Sequence, residues 1–96
     1  RLKKLTPKTI CKKEELLKNL KLTKNRGYSI NDEEYIQGLI CIGAPLINFN
    51  TKTVAGAVSL DFPASEFSLS AIERNYTGIL TKLASELSGI ITTADM

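Results

Sequence analysis

The residues able to do chemistry are few: three adjacent carboxylates at Asp32, Glu33 and Glu34, a thiol at Cys41, and a hydroxyl and a carboxylate two apart at Ser59 and Asp61. Three consecutive carboxylates could contact a ligand or a metal, yet they lack the spaced oxygen ligands of a calcium loop. A solvated turn that caps backbone amides explains them better. Histidine is absent, which removes both the commonest general base and the commonest metal ligand. No serine, cysteine or lysine has a base at readable spacing, so nucleophilic catalysis has no support and the expectation is a protein that is not an enzyme, with no cofactor.

These groups crowd into residues 27–45, where a turn at Gly27, the acidic elbow and an apolar strand leading through Cys41 to Pro45 follow one another without slack. Strand pairing is expected between 38–47 and 54–60, joined by the polar stretch Asn48-Phe49-Asn50-Thr51-Lys52 as a hairpin. Side chains alternate across a strand, so the hairpin sorts into two faces. Ile40, Ile42, Ala44 and Leu46 share a bulky face with Val54, Val58 and Leu60. Leu39, Cys41 and Gly43 share a small face with Ala55, Ala57, Ser59 and Asp61. Such a face can line a small-molecule pocket, or it can let another element approach closely with Cys41 as a buried small hydrophobe. The residues alone leave both readings open.

Helices should flank this sheet. After Thr6-Pro7, an extended entry, Glu14 and Glu15 in a first turn and Lys18, Lys21 and Lys24 further on suit a helix dipole. Leu16, Leu17 and Leu20 form its expected buried stripe, and Gly27 its end. A short strand starts near Tyr28, with Asn31 to Glu34 as a turn. Pro63 ends the hairpin, and Ser65 or Ser68 can cap a long amphipathic helix. Its apolar residues recur at Leu69, Ile72, Tyr76, Ile79, Leu80, Leu83, Leu87, Ile90 and Ile91, with Gly89 as the start of a fraying end.

The 96 residues allow one domain at most, and 43% hydrophobic with 24% charged residues is a globular balance. No stretch is long enough for a membrane span, and two cysteines in unrelated contexts fit a reducing, cytoplasmic compartment. Residues 1–26 hold ten basic side chains against two acidic ones, a net +8 that leaves −5 for the remainder. A solvated helix face accounts for these lysines better than a phosphate contact, since no aromatic or Gly-rich element accompanies them. The opening Arg1-Leu2-Lys3-Lys4, without methionine or targeting core, reads as a piece of a longer protein.

The segment from Gly27 to Pro45 resembles a signature of the IclR family of bacterial transcription regulators, of the form G-Y-S/A-x-D-x-E-E-x-x-x-G-L/V-x-C-I/V-A-A-P. Leu5-Thr6-Pro7-Lys8-Thr9-Ile10 is similar to that family's L-T-x-x-T approach, residues 54–63 to its V-A-A-x-S-x-S-G-P strand, and residues 80–89 to its closing helix. The resemblance implies an α+β fold with an antiparallel sheet of three or more strands and helices packed on one face, in the order helix, strand, hairpin, helix. It implies that residues 1–96 are the C-terminal part of one GAF-like effector-binding domain, with the DNA-binding domain elsewhere. Effector contacts carried over from the family fall on Asn31, Leu39, Cys41, Ser59 and Asp61. Asn31 stands where the family has aspartate, Asp61 where it has serine, and Glu66 where it often has arginine. The implied partners are a small-molecule effector, DNA through the separate domain, and further copies of the chain. The competing reading is a ligand-free interaction module, in which Leu83, Leu87 and Ile90 form an interface.

Overall fold

A computed structural model of the chain describes residues 4–95, so Arg1 and Lys3 of the basic segment lie outside the described residues. The elements are α1 (Lys13–Arg26), β1 (Ser29–Asp32), β2 (Leu39–Asn48), β3 (Thr53–Pro63) and α2 (Leu69–Ala94). The three strands form one antiparallel sheet in the order β1-β2-β3. This is the expected α+β arrangement and element order.

The hairpin is in register through Ile40↔Phe62, Ile42↔Leu60 and Ala44↔Val58 on the face that meets α2. Ile42, Ile72 and Leu80 have no solvent exposure, and Ala84 of α2 completes the contact. Phe62, which the patterning did not pick out, packs edge-on against Phe67 and at a tilt against Tyr76, at centroid separations of 5.2 and 4.9 Å. Ser68 is the N-cap of α2, its hydroxyl accepting the Ala71 amide at 3.2 Å.

A β-bulge between Leu46 and Ile47 pairs Leu46 with Gly56 and Ile47 with Val54, leaving Ala55 unpaired. The extra residue in β3 reverses the parity beyond it. Val54, expected on the core face, is therefore 67% exposed. The Ile47 amide donates to Ser88 Oγ at 2.8 Å, and Ser88 is buried in α2.

Three further expectations need correction. The α1 stripe is not buried: Leu17 and Leu20 are 55% and 54% exposed, because α1 meets the sheet chiefly beside β1 and no second layer covers it among the described residues. Its ends do follow the sequence, with Gly27 at φ 84° donating to Thr23 O. Strand β1 takes in Asn31 and Asp32, which pair with Cys41 and Ile40, and the turn begins only at Glu33, at φ 55°. Lys8 Nζ lies 3.4 Å from the Asp32 carboxylate and 2.9 Å from that of Glu33, which offsets the repulsion between these neighbours. Finally, α2 does not fray at Gly89. Its last turns are held by the hairpin loop, where the Phe49 amide donates to Thr92 Oγ1 at 2.9 Å and Asn50 Nδ2 to the Thr92 carbonyl at 3.1 Å. Ile79 and Ile90 point outward, 59% and 64% exposed.

Candidate functional site

The strand face turned away from α2 carries the candidate residues. Register places Asn31, Cys41 and Asp61 side by side in one row across the three strands, since Asn31 pairs with Cys41 and Cys41 with Asp61. The next row is Ser29, Gly43 and Ser59, and Leu39 faces Pro63 on the other side. All five expected residues thus share one face. Asn31, Leu39 and Cys41 are half-buried, while Ser59 and Asp61 are exposed.

A cavity of about 530 Å³, within the range of small-molecule sites, opens beside these rows. Its floor is Gly43, Pro45, Ala57 and Ser59, its rim Val54 and Tyr28, and its α1 side Thr23 and Lys24. Of the five expected residues, only Ser59 lines it. The polar row and the apolar hollow are neighbours that meet at Gly43 and Ser59, so the chemistry belongs to the row and the volume to the hollow. Gly43 keeps the hollow open: a Cβ there would meet Ser29 Oγ at 2.9 Å. Ser29 could have been found by parity with Asn31. Val54 could not, because nothing in the sequence marks the bulge that turns it outward.

The acidic elbow is an amide-capping turn. Asn31 Oδ1 accepts the Glu34 amide at 3.0 Å, Glu34 Oε2 the Asp32 amide at 3.2 Å, and Glu33 Oε1 the Gly38 amide at 2.9 Å. The segment around Pro7 is fastened to it. The Thr6 and Thr9 hydroxyls donate to the Glu33 and Glu34 carbonyls, and Lys8 Nζ lies 2.9 Å from Glu33 Oε2. The Lys8 ammonium, followed by the Gly38 amide, holds the Glu33 carboxyl below its ordinary value. The similarity at Thr6 and Thr9 pointed to this segment, but not to its contact with the elbow.

Burial, and after it the hydrogen bond and charge of Asp61, push the Cys41 thiol up to about 11. A thiol held protonated is a poor nucleophile. Among the described residues no group of three or more histidine, cysteine or acidic side chains is placed to hold a metal ion.

This fold superposes on the C-terminal domain of one bacterial transcriptional regulator and on the inducer-binding domain of another. The chain belongs to the IclR family: the model described as bacterial transcriptional regulator IclR C-terminal matches residues 1–89. It is 36% identical over 64 residues to the HTH-type transcriptional repressor AllR of Salmonella typhi, covering 67% of this chain and 23% of AllR. The crystal structure of the C-terminal domain of Escherichia coli KdgR superposes with a TM-score of 0.78 at 31% identity, over 94% of this chain and 54% of that one. A double mutant of the PobR inducer-binding domain from Acinetobacter, in complex with 3-hydroxybenzoic acid, superposes with a TM-score of 0.82 at 25% identity, over 91% and 49%. The chain spans about a quarter of the length of the curated relatives it matches. These relatives are transcriptional regulators, not enzymes. No helix among the described residues is long and apolar enough to cross a membrane.

Proposed function

We propose that residues 1–96 are the C-terminal part of a single effector-binding domain, and that they supply one wall of a small-metabolite site whose occupancy alters DNA binding by a helix-turn-helix domain of the same protein. The observation that carries this is the row of Asn31, Cys41 and Asp61 beside a hollow floored by Gly43 and Ser59. The PobR inducer-binding domain, which holds 3-hydroxybenzoic acid, lends support through its fold. In this reading Asn31, Ser59 and Asp61 set ligand polarity, Leu39 and Cys41 shape the wall, and Cys41 takes no covalent part. No catalytic step or cofactor is involved. The protein works in the cytoplasm as a homo-oligomer, and DNA is reached only through the separate domain.

Binding must differ between the DNA-competent and DNA-incompetent states, since a ligand of equal affinity for both shifts nothing. The test uses the parent protein, with Cys41→Phe and Ser59→Leu filling the row and the hollow. Both variants should bind operator DNA without metabolite and lose the metabolite-dependent change in DNA affinity. A response that survives both overturns the site.

A second reading, the ligand-free interaction module, is favoured by the exposure of Ile79 and Ile90 on the outer side of α2. Leu83 and Leu87, counted with Ile90 as its interface, are half-buried on the sheet side, which weakens it. Sedimentation of an Ile79→Lys/Ile90→Lys variant separates the two: dissociation with an intact metabolite response leaves the sensing role in place, and loss of assembly in a protein that never responds to metabolites favours the module.

A further inference from the structure

We infer that the row recognises a neutral amide-type group, a carboxamide, ureide or lactam edge with a carbonyl acceptor beside an N–H donor, in place of a free carboxylate. Resting on the sensing role proposed above, this names the ligand chemistry of the same face.

At one end of the row stands a donor in need of an acceptor. Asn31 Oδ1 accepts the Glu34 amide at 3.0 Å. A backbone N–H can be satisfied only by the oxygen of the side-chain amide, so that bond settles which way Asn31 is turned. Its Nδ2 makes no hydrogen bond to a described group. At the other end stands a carboxylate with acceptor positions to spare beyond the weak donor of the Cys41 thiol. Asp61 is exposed, and the described ion pairs are those of Lys8 with Asp32 and Glu33, so no lysine or arginine among the described residues neutralises it. Lys24, the charged residue of the cavity lining, comes from α1 on the β1 side of the sheet. Between the two ends lies Cys41, whose thiol stays protonated and adds no charge.

The chemistry follows from what each candidate group leaves unmet. A carboxylate laid over the row satisfies Asn31 and sets its charge against Asp61. An amine satisfies Asp61 and leaves Asn31 Nδ2 without an acceptor. A carbonyl beside an N–H serves both. The spacing agrees: two antiparallel strand steps put the Asn31 and Asp61 backbones about 10 Å apart, and an amide with a hydrogen bond of ordinary length on either side spans about 8 Å. The remainder of such a ligand would extend over Gly43 and Ser59 into the hollow.

Calorimetry on the full-length protein with two matched pairs, benzamide against benzoate and butyramide against butyrate, tests this. Each amide should bind at least about tenfold more tightly than its carboxylate, the size of one charge-assisted hydrogen bond exchanged for a like-charge contact. Asp61→Asn, which keeps shape at an exposed position, should remove most of that discrimination by admitting the carboxylate; Asp61→Ser serves as a second variant. Carboxylates that bind as well as amides, or a ratio that Asp61→Asn leaves unchanged, overturn the inference. If in that case Ser59→Leu still abolishes carboxylate binding, the sensing role stands without it. If neither member of either pair binds and Ser59→Leu changes no metabolite response, the sensing role falls and the inference with it.

Discussion

Ser88→Ala should destabilise the chain well beyond what a serine-to-alanine change in a helix ordinarily does. Ser88 is 2% exposed; its hydroxyl donates to the Ala84 carbonyl at 2.7 Å and accepts the Ile47 amide at 2.8 Å. The second bond sits at the bulge, where the β2–β3 ladder breaks register. Without Ser88 Oγ the Ile47 amide has no partner, and an unmet donor of this kind costs about 1–3 kcal/mol. Ile47 is only half-buried, so water can reach part of the site, and alanine gains a few tenths of a kcal/mol in helix propensity. The hydroxyl leaves a void too small to add much. A net loss of about 1–2 kcal/mol follows, or roughly 4–16 °C in Tm for a domain of this size. Urea unfolding of the 96-residue chain followed by far-UV circular dichroism gives the midpoint, with Thr81→Ala as the comparison. Thr81 bonds back to the Thr77 carbonyl at 3.0 Å in the same way but is exposed and accepts no strand amide, so its removal should stay within about 0.5 kcal/mol. Equal midpoints for the two variants at unchanged slope would show that the bulge does not depend on Ser88.

Three other outcomes are expected. Leu80→Ala, at a position with no exposure, should cost about 2–5 kcal/mol, while Leu20→Ala, at 54% exposure, should cost under about 0.5 kcal/mol in the isolated chain; equal losses would mean that α1 packs elsewhere. Because Lys8 lowers the Glu33 pKa from 4.5, the stabilisation is complete above that value and is lost as pH falls through the lower folded pKa. Glu33 and then Asp32 raise the Lys8 pKa from 10.5, so the same pair is also lost as pH climbs through the raised value. The urea midpoints of wild type and Lys8→Met should therefore differ near neutrality and converge at both extremes, and a gap independent of pH would refute the pairing. Cys41 should alkylate slowly with iodoacetamide near neutral pH and speed up only towards about 11, and Asp61→Asn should lower the pH of that rise. An unchanged profile in the variant would leave burial as the whole cause.

Much of the fold was legible because short-range physics governs it. Gly27 ends α1 through a left-handed backbone that glycine adopts freely, and Ser68 caps α2 through its own hydroxyl. Strand parity sorted Ile40, Ile42 and Ala44 from Cys41, Gly43 and Ser59 correctly, since the period of two is a property of the extended backbone. The five site positions came from the family resemblance, and parity alone sufficed to bring Cys41, Ser59 and Asp61 to one face.

What sequence patterning missed depends on residues distant in the chain. An amphipathic leucine stripe shows which side of α1 is apolar, but the layer that would cover it is a tertiary matter, and Leu17 and Leu20 are exposed. The turn of Val54 out of the core depends on a bulge sustained by Ser88, 41 residues from the amide it satisfies. The orientation of Asn31 depends on an elbow clamped by Thr6, Lys8 and Thr9. The sequence by itself determined the helices, the hairpin pairing and the two hairpin faces short of the bulge, because propensity, capping and alternation act between near neighbours. Only the tertiary structure decided where the hollow opens and which hydrogen-bonding groups it leaves unpaired, because those follow from long-range contacts that satisfy some polar atoms and leave others free.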